Sequence, residues 1–311
     1  MPTAFLFPGQ GAQHVGMAKD LCDRHQAAAE LFDRAEEVTG LEIKKLCFQG
    51  PDEQLARTDI AQPAIFTASA ALLAVLKQTD KGRSLQPDLT AGLSLGEYTA
   101  LYAADALGFD EMVKLVARRG ELMQQAAEEN PSSMVALIGA DEDQAVKLSE
   151  AAAQGQVLAP ANFNCPGQIV LSGHTEACQR AEQMAGQFEI SGAKMLNVAG
   201  AFHSELMAPA AEAFATDLAA VSFCRPSVTV LANVDAQPYE SAEQIPQKLL
   251  AQLTGAVRWQ QCMQRAMADG ADVFYEIGPG KVLAGLMRRI HRRADLTTIN
   301  SLDTLEKFVS T

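Results

Sequence analysis

Short apolar runs alternate with longer segments of helical periodicity through the first 130 residues of the chain. Each apolar run is too short for a helix and breaks into glycine, which is typical of a buried strand that ends in a loop. Strands that alternate with helices predict an α/β fold with a largely parallel sheet. The predicted elements are a strand over 4–7, a helical segment over 14–38, a helix over 63–76 with Pro63 in its first turn, a strand over 89–93, a helix after Ser94, and a helix over 110–127.

The middle of the chain follows a different order of elements. Its periodicity predicts strand, helix, strand, strand, helix and strand, and Asp141 suits the N-terminal cap of the first of these helices. This βαββαβ order is ferredoxin-like. We therefore expect an α/β core formed by residues 1–130 and 199–311, with a ferredoxin-like subdomain inserted over 131–198. The α/β pattern then returns, with predicted strands over 228–232 and 272–277 and helices between and after them.

Composition and charge exclude several classes of protein. With 48% hydrophobic and 20% charged residues among 311, the chain is neither a disordered protein nor a coiled-coil rod. The balance of 25 Lys+Arg against 38 Asp+Glu gives a formal net charge of −13, which disfavours binding to a nucleic acid backbone.

Cysteine usage and hydropathy lead us to expect a cytoplasmic protein. The six cysteines form no C-x-x-C pair and none stands beside histidine at metal-ligand spacing, so we expect reduced thiols and no metal site. The N-terminal apolar run ends at Pro8-Gly9 and is too short for a signal peptide or an anchor. The longest apolar stretch, 64–76, is too short to span a bilayer.

Gly92-Leu93-Ser94-Leu95-Gly96 matches the pattern G-x-S-x-G, which by itself is a weak signal. Here an apolar strand precedes the match and a helix follows it. That is the setting of a nucleophile elbow, a sharp turn that holds a serine hydroxyl at the carboxyl end of a strand. The alternative is an ordinary strand-to-helix turn in which serine is only the cap. Because a hydroxyl is a weak nucleophile, the functional interpretation requires a base nearby.

His203 is the candidate base among the five histidines. It lies in the small-residue turn Gly200-Ala201-Phe202-His203-Ser204 before a helix, and it follows the serine in chain order, as in hydrolase-like folds. His14, which follows the N-terminal loop, is the competitor. The others lie in surroundings typical of the surface: His25, His174 and His291.

Arg119 lies on the apolar stripe of the helix predicted over 110–127, whereas Arg118 faces its polar side. A buried guanidinium requires an anion or several acceptors. Two alternatives stay open: an internal ion pair, or a fork that binds a substrate carboxylate through two parallel hydrogen bonds. Gln10 lies in the loop after the first strand, where it forms either part of an oxyanion hole or only a glycine turn.

Matching stretches in order along nearly the whole chain resemble the malonyl-CoA:acyl carrier protein transacylases and the acyltransferase domains of polyketide synthases. The stretches are Phe7-Pro8-Gly9-Gln10-Gly11-Ala12-Gln13, Gln62-Pro63-Ala64, Gly92-Leu93-Ser94-Leu95-Gly96-Glu97-Tyr98, Arg119-Gly120-Glu121-Leu122-Met123-Gln124, Ala161-Asn162-Phe163-Asn164-Cys165-Pro166-Gly167-Gln168, Ala201-Phe202-His203-Ser204 and Glu276-Ile277-Gly278-Pro279-Gly280-Lys281. The resemblance implies an α/β-hydrolase-like core with a ferredoxin-like insertion, in agreement with the periodicity.

The resemblance also implies roles for individual residues. It implies that Ser94 is the acylated nucleophile, that His203 is its base, and that a carbonyl near Gln252 orients the histidine. It implies that the backbone amides of Gln10 and Leu95 form the oxyanion hole. The implied substrate-binding residues are Arg119, which would bind the free malonyl carboxylate, Phe202 and Asn162.

One position departs from the family pattern. The family usually has histidine immediately before the nucleophile, where this chain has Leu93. That histidine is not a base in the family, so we expect catalysis to survive, with altered polarity or acyl-chain access near the serine. Leu95 and Phe202 match the pattern of malonyl-selective members.

The resemblance implies a transferase that moves malonyl from malonyl-CoA, through malonyl-serine, to the phosphopantetheine thiol of an acyl carrier protein. Exchange of one thioester for another needs no cofactor. We expect malonyl-CoA and an acyl carrier protein as partners, no nucleic acid or membrane partner, and a monomer. We favour fatty acid chain elongation. The alternatives are service to a polyketide synthase and an acyl-thioester hydrolase of the same fold, which would not need the buried cation of Arg119.

Docking of an acidic carrier protein on this acidic chain would require a local basic patch. The candidates are Lys44-Lys45 and the cations Lys281, Arg288, Arg289, Arg292 and Arg293. The second group follows the turn Gly278-Pro279-Gly280 at the end of a predicted strand, the edge where open α/β sheets bind ligands.

Overall fold

Nine strands in two separate sheets organise residues 2–310, which the computed structural model describes. The strands are β1 (Thr3–Phe7), β2 (Leu89–Gly92), β3 (Ser132–Ile138), β4 (Leu158–Cys165), β5 (Gln168–His174), β6 (Gly192–Met195), β7 (Thr229–Val230), β8 (Val273–Ile277) and β9 (Asp295–Ile299). The first sheet has the order β7-β2-β1-β8-β9, and every neighbouring pair in it is parallel. The predicted α/β fold with a parallel sheet is confirmed.

Fifteen α-helices connect these strands within the described part of the chain. They are α1 (Lys19–Arg24), α2 (Gln26–Thr39), α3 (Ile43–Gln49), α4 (Asp52–Leu55), α5 (Thr58–Gln78), α6 (Asp80–Ser84), α7 (Gly96–Ala103), α8 (Phe109–Glu129), α9 (Glu142–Ala153), α10 (Thr175–Met184), α11 (Ala208–Ala219), α12 (Gln244–Thr254), α13 (Trp259–Ala268), α14 (Val282–Ile290) and α15 (Leu302–Ser310). The segment predicted over 14–38 divides into α1 and α2 at His25, whose backbone is extended.

The pairing of β1 with β2 brings two loops to one edge of the parallel sheet. Phe7, the last residue of β1, lies beside Gly92, the last residue of β2. Both strands are buried along their whole length. Because parallel neighbours end at the same edge, the loop that carries Gln10 and the turn that carries Ser94 leave the sheet side by side.

The second sheet is antiparallel and has the order β4-β5-β3-β6, which confirms the predicted ferredoxin-like βαββαβ order. Asp141 caps α9 as expected: its Oδ1 accepts from the backbone N–H of Gln144 at 2.8 Å, and Gln144 Oε1 accepts from the backbone N–H of Asp141 at 2.9 Å. The last strand of the predicted order is β6. The subdomain limits 131–198 stay a prediction.

Helix α5 corrects two expectations. Its first residue is Thr58, so Pro63 lies inside the helix and not in its first turn. The backbone N–H of Thr58 donates to the side-chain oxygen of Gln124 at 3.1 Å, a tertiary contact that extends the helix beyond its local signal. The apolar stretch 64–76 was judged too short to span a bilayer, but α5 has 21 residues and is long and apolar enough to cross a membrane. However, 83% of its most apolar stretch is buried within the fold.

Strand β9 was not expected, because the sequence predicts only helices after residue 277. It pairs in parallel with β8 at the edge of the sheet. Apart from Ile299 its residues are half-buried or exposed, so the segment lacks the continuous apolar run that marks β1 and β2.

Candidate active site

The turn between β2 and α7 holds Ser94 in a left-handed backbone conformation, with φ of 52°. A Cβ on Gly92 would lie 1.9 Å from the carbonyl carbon of Gly96, and a Cβ on Gly96 would lie 2.1 Å from the carbonyl oxygen of Phe7. Both glycines of G-x-S-x-G are therefore required by the close approach of backbone segments, as in a nucleophile elbow.

Ser94 and His203 meet although 109 residues separate them. Ser94 Oγ lies 2.7 Å from His203 Nε2, and Nδ1 of the same ring lies 2.7 Å from the main-chain oxygen of Gln252 in α12. Because a carbonyl oxygen only accepts, Nδ1 carries the hydrogen and Nε2 is free to accept from the serine hydroxyl. Burial, reinforced by the charge of Arg119, lowers the pKa of His203 to about 4, so the ring is neutral at pH 7.

Arg119 is 1% exposed and contacts the same serine. Its Nη2 donates to Ser94 Oγ at 3.1 Å and to Gln252 Oε1 at 2.8 Å, and its Nη1 donates to Gln62 Oε1 at 2.5 Å. Between residues 2 and 310 no carboxylate oxygen lies within 4.0 Å of the guanidinium, and Nε has no hydrogen-bond partner. The direct ion pair considered from the sequence is not formed. Burial accordingly lowers the pKa of Arg119.

Gln10 and Leu95 line the cleft beside Ser94. Within the described chain neither backbone N–H donates to an acceptor, although buried amides are nearly always paired. The Gln10 side chain is held separately, through Nε2 that donates to Thr58 Oγ1 at 3.2 Å. Two unpaired amides next to a serine hydroxyl are what an oxyanion hole requires.

A cleft of about 580 Å³ lies in front of Ser94. Its walls include Phe202 and Asn162, which are 6% and 9% exposed, and the partly buried Leu93. Asn162 forms a backbone bridge to Val257, while its side chain has no hydrogen-bond partner in residues 2–310. Residues of β3 and β5 also line the cleft, so it lies between the two sheets.

Sequence analysis missed a buried polar network around the Ser94 turn. The backbone N–H of Ser94 donates to Asn233 Oδ1 at 2.6 Å. Glu97 Oε2 accepts from the backbone N–H of Asn233 at 3.0 Å and from Gln252 Nε2 at 2.6 Å, while its Oε1 accepts from the hydroxyl of Tyr239. The one local signal was the place of Glu97 three residues after the serine, in the first turn of α7.

The remaining histidines do not line the cleft: His14, His25, His174 and His291. His14 is exposed, and its Nδ1 lies 3.4 Å from the carbonyl oxygen of Ala12. All six cysteines are free thiols. Within the described residues no group of three His, Cys, Asp or Glu side chains is placed to hold a metal ion.

The two basic stretches differ in their pairing. Lys44 pairs with Asp33, and Lys45 pairs with Glu42 at 2.9 Å. The second stretch has no carboxylate oxygen within 4.0 Å in residues 2–310: Lys281, Arg288, Arg289, Arg292 and Arg293. Lys281 directly precedes α14 and the four arginines lie on and after this helix, whose first turn lines the cleft through Val282.

Fold and site together define a class of protein. A serine on a nucleophile elbow, in contact with a neutral histidine and beside two unpaired amides, is the arrangement of enzymes that form acyl-serine intermediates. The model of the family described as "Acyl transferase domain" matches residues 4–308. The chain belongs to this acyl transferase family.

Named relatives narrow the comparison. The chain is 40% identical over 309 residues to the malonyl CoA-acyl carrier protein transacylase of Bacillus subtilis (strain 168). The aligned region covers 99% of this chain and 96% of the relative. The chain is 41% identical over 300 residues to the protein of the same name from Escherichia coli (strain K12), with coverage of 96% and 95%.

Solved structures agree with these relatives. The malonyl CoA-acyl carrier protein transacylase from Coxiella burnetii superposes with a TM-score of 0.95 at 38% identity, over 100% of this chain and 97% of the other. A malonyl-transacylase solved in complex with its type II PKS acyl-carrier protein gives a TM-score of 0.95 at 36% identity, over 100% and 99%.

Proposed function

We propose that this protein transfers a malonyl group from malonyl-CoA to the phosphopantetheine thiol of an acyl carrier protein. One observation carries the proposal: Ser94 Oγ contacts both His203 Nε2 at 2.7 Å and Arg119 Nη2 at 3.1 Å. A base and a cation without a paired carboxylate thus reach the same hydroxyl. An acyl group on Ser94 would extend past Arg119, where a terminal carboxylate meets its counterion.

In the first half-reaction Ser94 Oγ attacks the thioester carbonyl carbon of malonyl-CoA, and its proton passes to His203 Nε2. The carbonyl oxygen becomes an oxyanion, which the backbone N–H groups of Gln10 and Leu95 stabilise. The C–S bond then breaks, the proton moves from His203 to the CoA sulfur, and malonyl-Ser94 remains. The main-chain oxygen of Gln252 holds the imidazole in the required tautomer throughout.

The second half-reaction runs the same steps in reverse with another thiol. The phosphopantetheine sulfur attacks malonyl-Ser94, His203 accepts the thiol proton, and it returns that proton to Ser94 Oγ as the ester bond breaks. A thioester is consumed and a thioester is formed, so the exchange needs neither a redox partner nor a metal ion. We therefore propose that the CoA thioester enters only as a substrate.

Substrate selection falls to three side chains in this proposal. Arg119 binds the malonyl carboxylate, and Phe202 and Asn162 contact the acyl group from the cleft wall. A hydrolase of mixed acyl chains would gain nothing from a buried guanidinium, whose desolvation is unfavourable. This favours transfer over hydrolysis.

We propose fatty acid chain elongation as the pathway, in line with relatives named malonyl CoA-acyl carrier protein transacylase. Supply of malonyl groups to a polyketide synthase is a second candidate. The observation that supports it is the likeness to a malonyl-transacylase in complex with a type II PKS acyl-carrier protein.

We further propose a cytoplasmic monomer with a core over 1–130 and 199–311 and an inserted subdomain over 131–198. Six free cysteines suit a reducing compartment. The antiparallel sheet with its own buried apolar cluster supports treatment of the insertion as a unit.

The test isolates the acyl-enzyme and offers it an acceptor. Enzyme incubated with malonyl-CoA is separated from nucleotide, then mixed with carrier protein that carries phosphopantetheine or, as the control, lacks it. We expect malonyl to appear on the modified carrier protein alone, measured by intact-mass spectrometry. Release of free malonate at the same rate with either carrier protein would indicate a hydrolase. Parallel use of a fatty acid and a polyketide carrier protein decides between the two pathways.

A further inference from the structure

The charge of Arg119 is linked to a second buried charge through one amide. Glu97 is 0% exposed, and Gln252, which is also 0% exposed, lies between the two residues. Gln252 Nε2 donates to Glu97 Oε2 at 2.6 Å, and Gln252 Oε1 accepts from Arg119 Nη2 at 2.8 Å. A buried cation without an opposite charge nearby is strongly unfavourable, so this link is significant for the site.

An amide side chain is suited to this position because it donates at one end and accepts at the other. Its nitrogen faces the carboxylate of Glu97 and its oxygen faces the guanidinium of Arg119. The two charges therefore stabilise one another across Gln252 without contact. A direct ion pair would instead occupy the guanidinium donors that a substrate carboxylate needs.

The hydrogen-bond donors around Glu97 favour its ionised form. Both carboxylate oxygens accept hydrogen bonds: Oε2 from Gln252 and from the backbone N–H of Asn233 at 3.0 Å, and Oε1 from the hydroxyl of Tyr239. A proton on either oxygen would face a donor. Burial raises the pKa of Glu97 to about 7 in spite of these donors, so the carboxylate is mostly ionised near pH 8.

The same carboxylate also supports the nucleophile. Asn233, held by Glu97 through its backbone N–H, accepts from the backbone N–H of Ser94 at 2.6 Å and donates to the carbonyl oxygen of Gly92 at 2.8 Å. Glu97 thus connects the strained serine turn to the guanidinium beside it.

We propose that Glu97 is a positioning residue that acts through the amide of Gln252 as the remote counterion of Arg119 and sets how strongly Arg119 attracts the malonyl carboxylate. The inference rests on the proposed malonyl transfer. The negative charge of Glu97 then has two opposite effects, one on substrate binding and one on the histidine. The negative charge moderates the attraction of Arg119 for the malonyl carboxylate, and it offsets the repulsion between Arg119 and the imidazolium that forms on His203.

The test is Glu97→Gln, which keeps the size of the side chain and removes its charge, assayed near pH 8. The Kd of malonyl-CoA, measured calorimetrically in a Ser94→Ala background, should fall by roughly tenfold, the effect of one charge at ~10 Å with an effective dielectric constant of ~20. With Ser94 present, the maximal acylation rate should fall for both malonyl-CoA and acetyl-CoA. The KM for acetyl-CoA, which has no carboxylate, should stay unchanged.

The control is Glu97→Asp, which shortens the side chain but keeps the charge. It should retain the wild-type affinity for malonyl-CoA within about twofold. The amplitude of the acylation burst measures the concentration of correctly folded active sites. Rates divided by this amplitude are therefore not distorted by partly folded protein.

Unchanged or weaker malonyl-CoA binding in Glu97→Gln would overturn the inference. The inference would also be overturned if Glu97→Gln gave no acylation burst while Glu97→Asp remained active. The carboxylate would then be needed for folding or acylation and not for the binding of malonyl-CoA. Absence of a malonyl burst from the wild type would contradict the proposed function itself, which keeps the two failures distinct.

Discussion

Replacement of Arg119 with alanine should separate malonyl from uncharged acyl groups. The substitution removes the guanidinium whose Nη2 lies 3.1 Å from Ser94 Oγ. A malonyl carboxylate then loses at least one charge-assisted hydrogen bond, about 1.5–3 kcal/mol, which corresponds to roughly tenfold to hundredfold in kcat/KM. Acetyl-CoA offers no carboxylate to this position, so its kcat/KM should fall less and its share of transfer should rise.

The structure also predicts a cost in stability. Without Arg119 the side-chain oxygens of Gln62 and Gln252 lose the donors that reach them at 2.5 and 2.8 Å. A buried acceptor left unpaired costs about 1–3 kcal/mol, so the free energy of unfolding should fall by that order. Arg119→Lys keeps the charge but not the planar fork, and its malonyl activity should lie between those of wild type and Arg119→Ala.

The assay measures CoA release in the acylation burst with malonyl-CoA and acetyl-CoA in parallel, together with thermal unfolding. Arg118→Ala is the matched control, because Arg118 is the adjacent arginine but is half-buried on the polar side of the helix, where it pairs with Glu121 at 2.7 Å and with Asp217 at 3.3 Å. It should leave both substrates unaffected, since surface ion pairs contribute about 0–1 kcal/mol. Equal losses on both substrates in Arg119→Ala would falsify the carboxylate role.

Three further predictions concern the base, the turn and the docking surface. In the Glu97→Gln variant, which lacks the carboxylate with its pKa near 7, the acylation rate should stay flat from about pH 8 to 6 and fall only as pH approaches the pKa of His203 near 4, because the base acts in its neutral form and its pKa is lowered; a fall already centred near 6.5, the ordinary value for histidine, contradicts this. Gly92→Ala should prevent folding because its Cβ would lie 1.9 Å from backbone, whereas Gly285→Ala in α14, with nothing within 4 Å, should fold normally by circular dichroism. Charge reversal at Arg288 and Arg292 should raise the KM for carrier protein, less so in high salt, and leave the malonyl burst unchanged; parallel loss of both half-reactions would make these residues structural.

Features that lie within a few consecutive residues could be predicted from the sequence. The role of Ser94 could be predicted because a strand, two glycines and the serine lie in one short stretch of sequence. The burial of Arg119 could be predicted from the helical period alone, because this period places Arg119 on the apolar stripe of α8. The polarity of its surroundings could not be predicted, because Gln252 lies 133 residues away in the chain. The contact of Glu97 with Asn233, 136 residues apart, left no periodic signal at all.

Element limits that depend on tertiary contacts were also beyond sequence reasoning. Helix α5 begins at Thr58, whose backbone N–H donates to the side chain of Gln124 on α8. Because Gln124 lies 66 residues further along the chain, this start could not be predicted from the local sequence. The strand β9 owes its conformation to the parallel partner β8 and not to its own mixed polarity. By contrast Asp141 was correctly predicted as an N-terminal cap, because the residues that form the cap lie within four positions of one another.

The central claim is that Ser94 carries the malonyl group, and intact-mass spectrometry after brief mixing with malonyl-CoA tests it most directly. We expect one malonyl adduct per enzyme molecule without any carrier protein, located on the peptide that contains Ser94, with release of an equal amount of CoA. His203→Ala should form the same adduct at least ~10²-fold more slowly. No adduct on the wild type, or an adduct that persists in Ser94→Ala, would contradict the account.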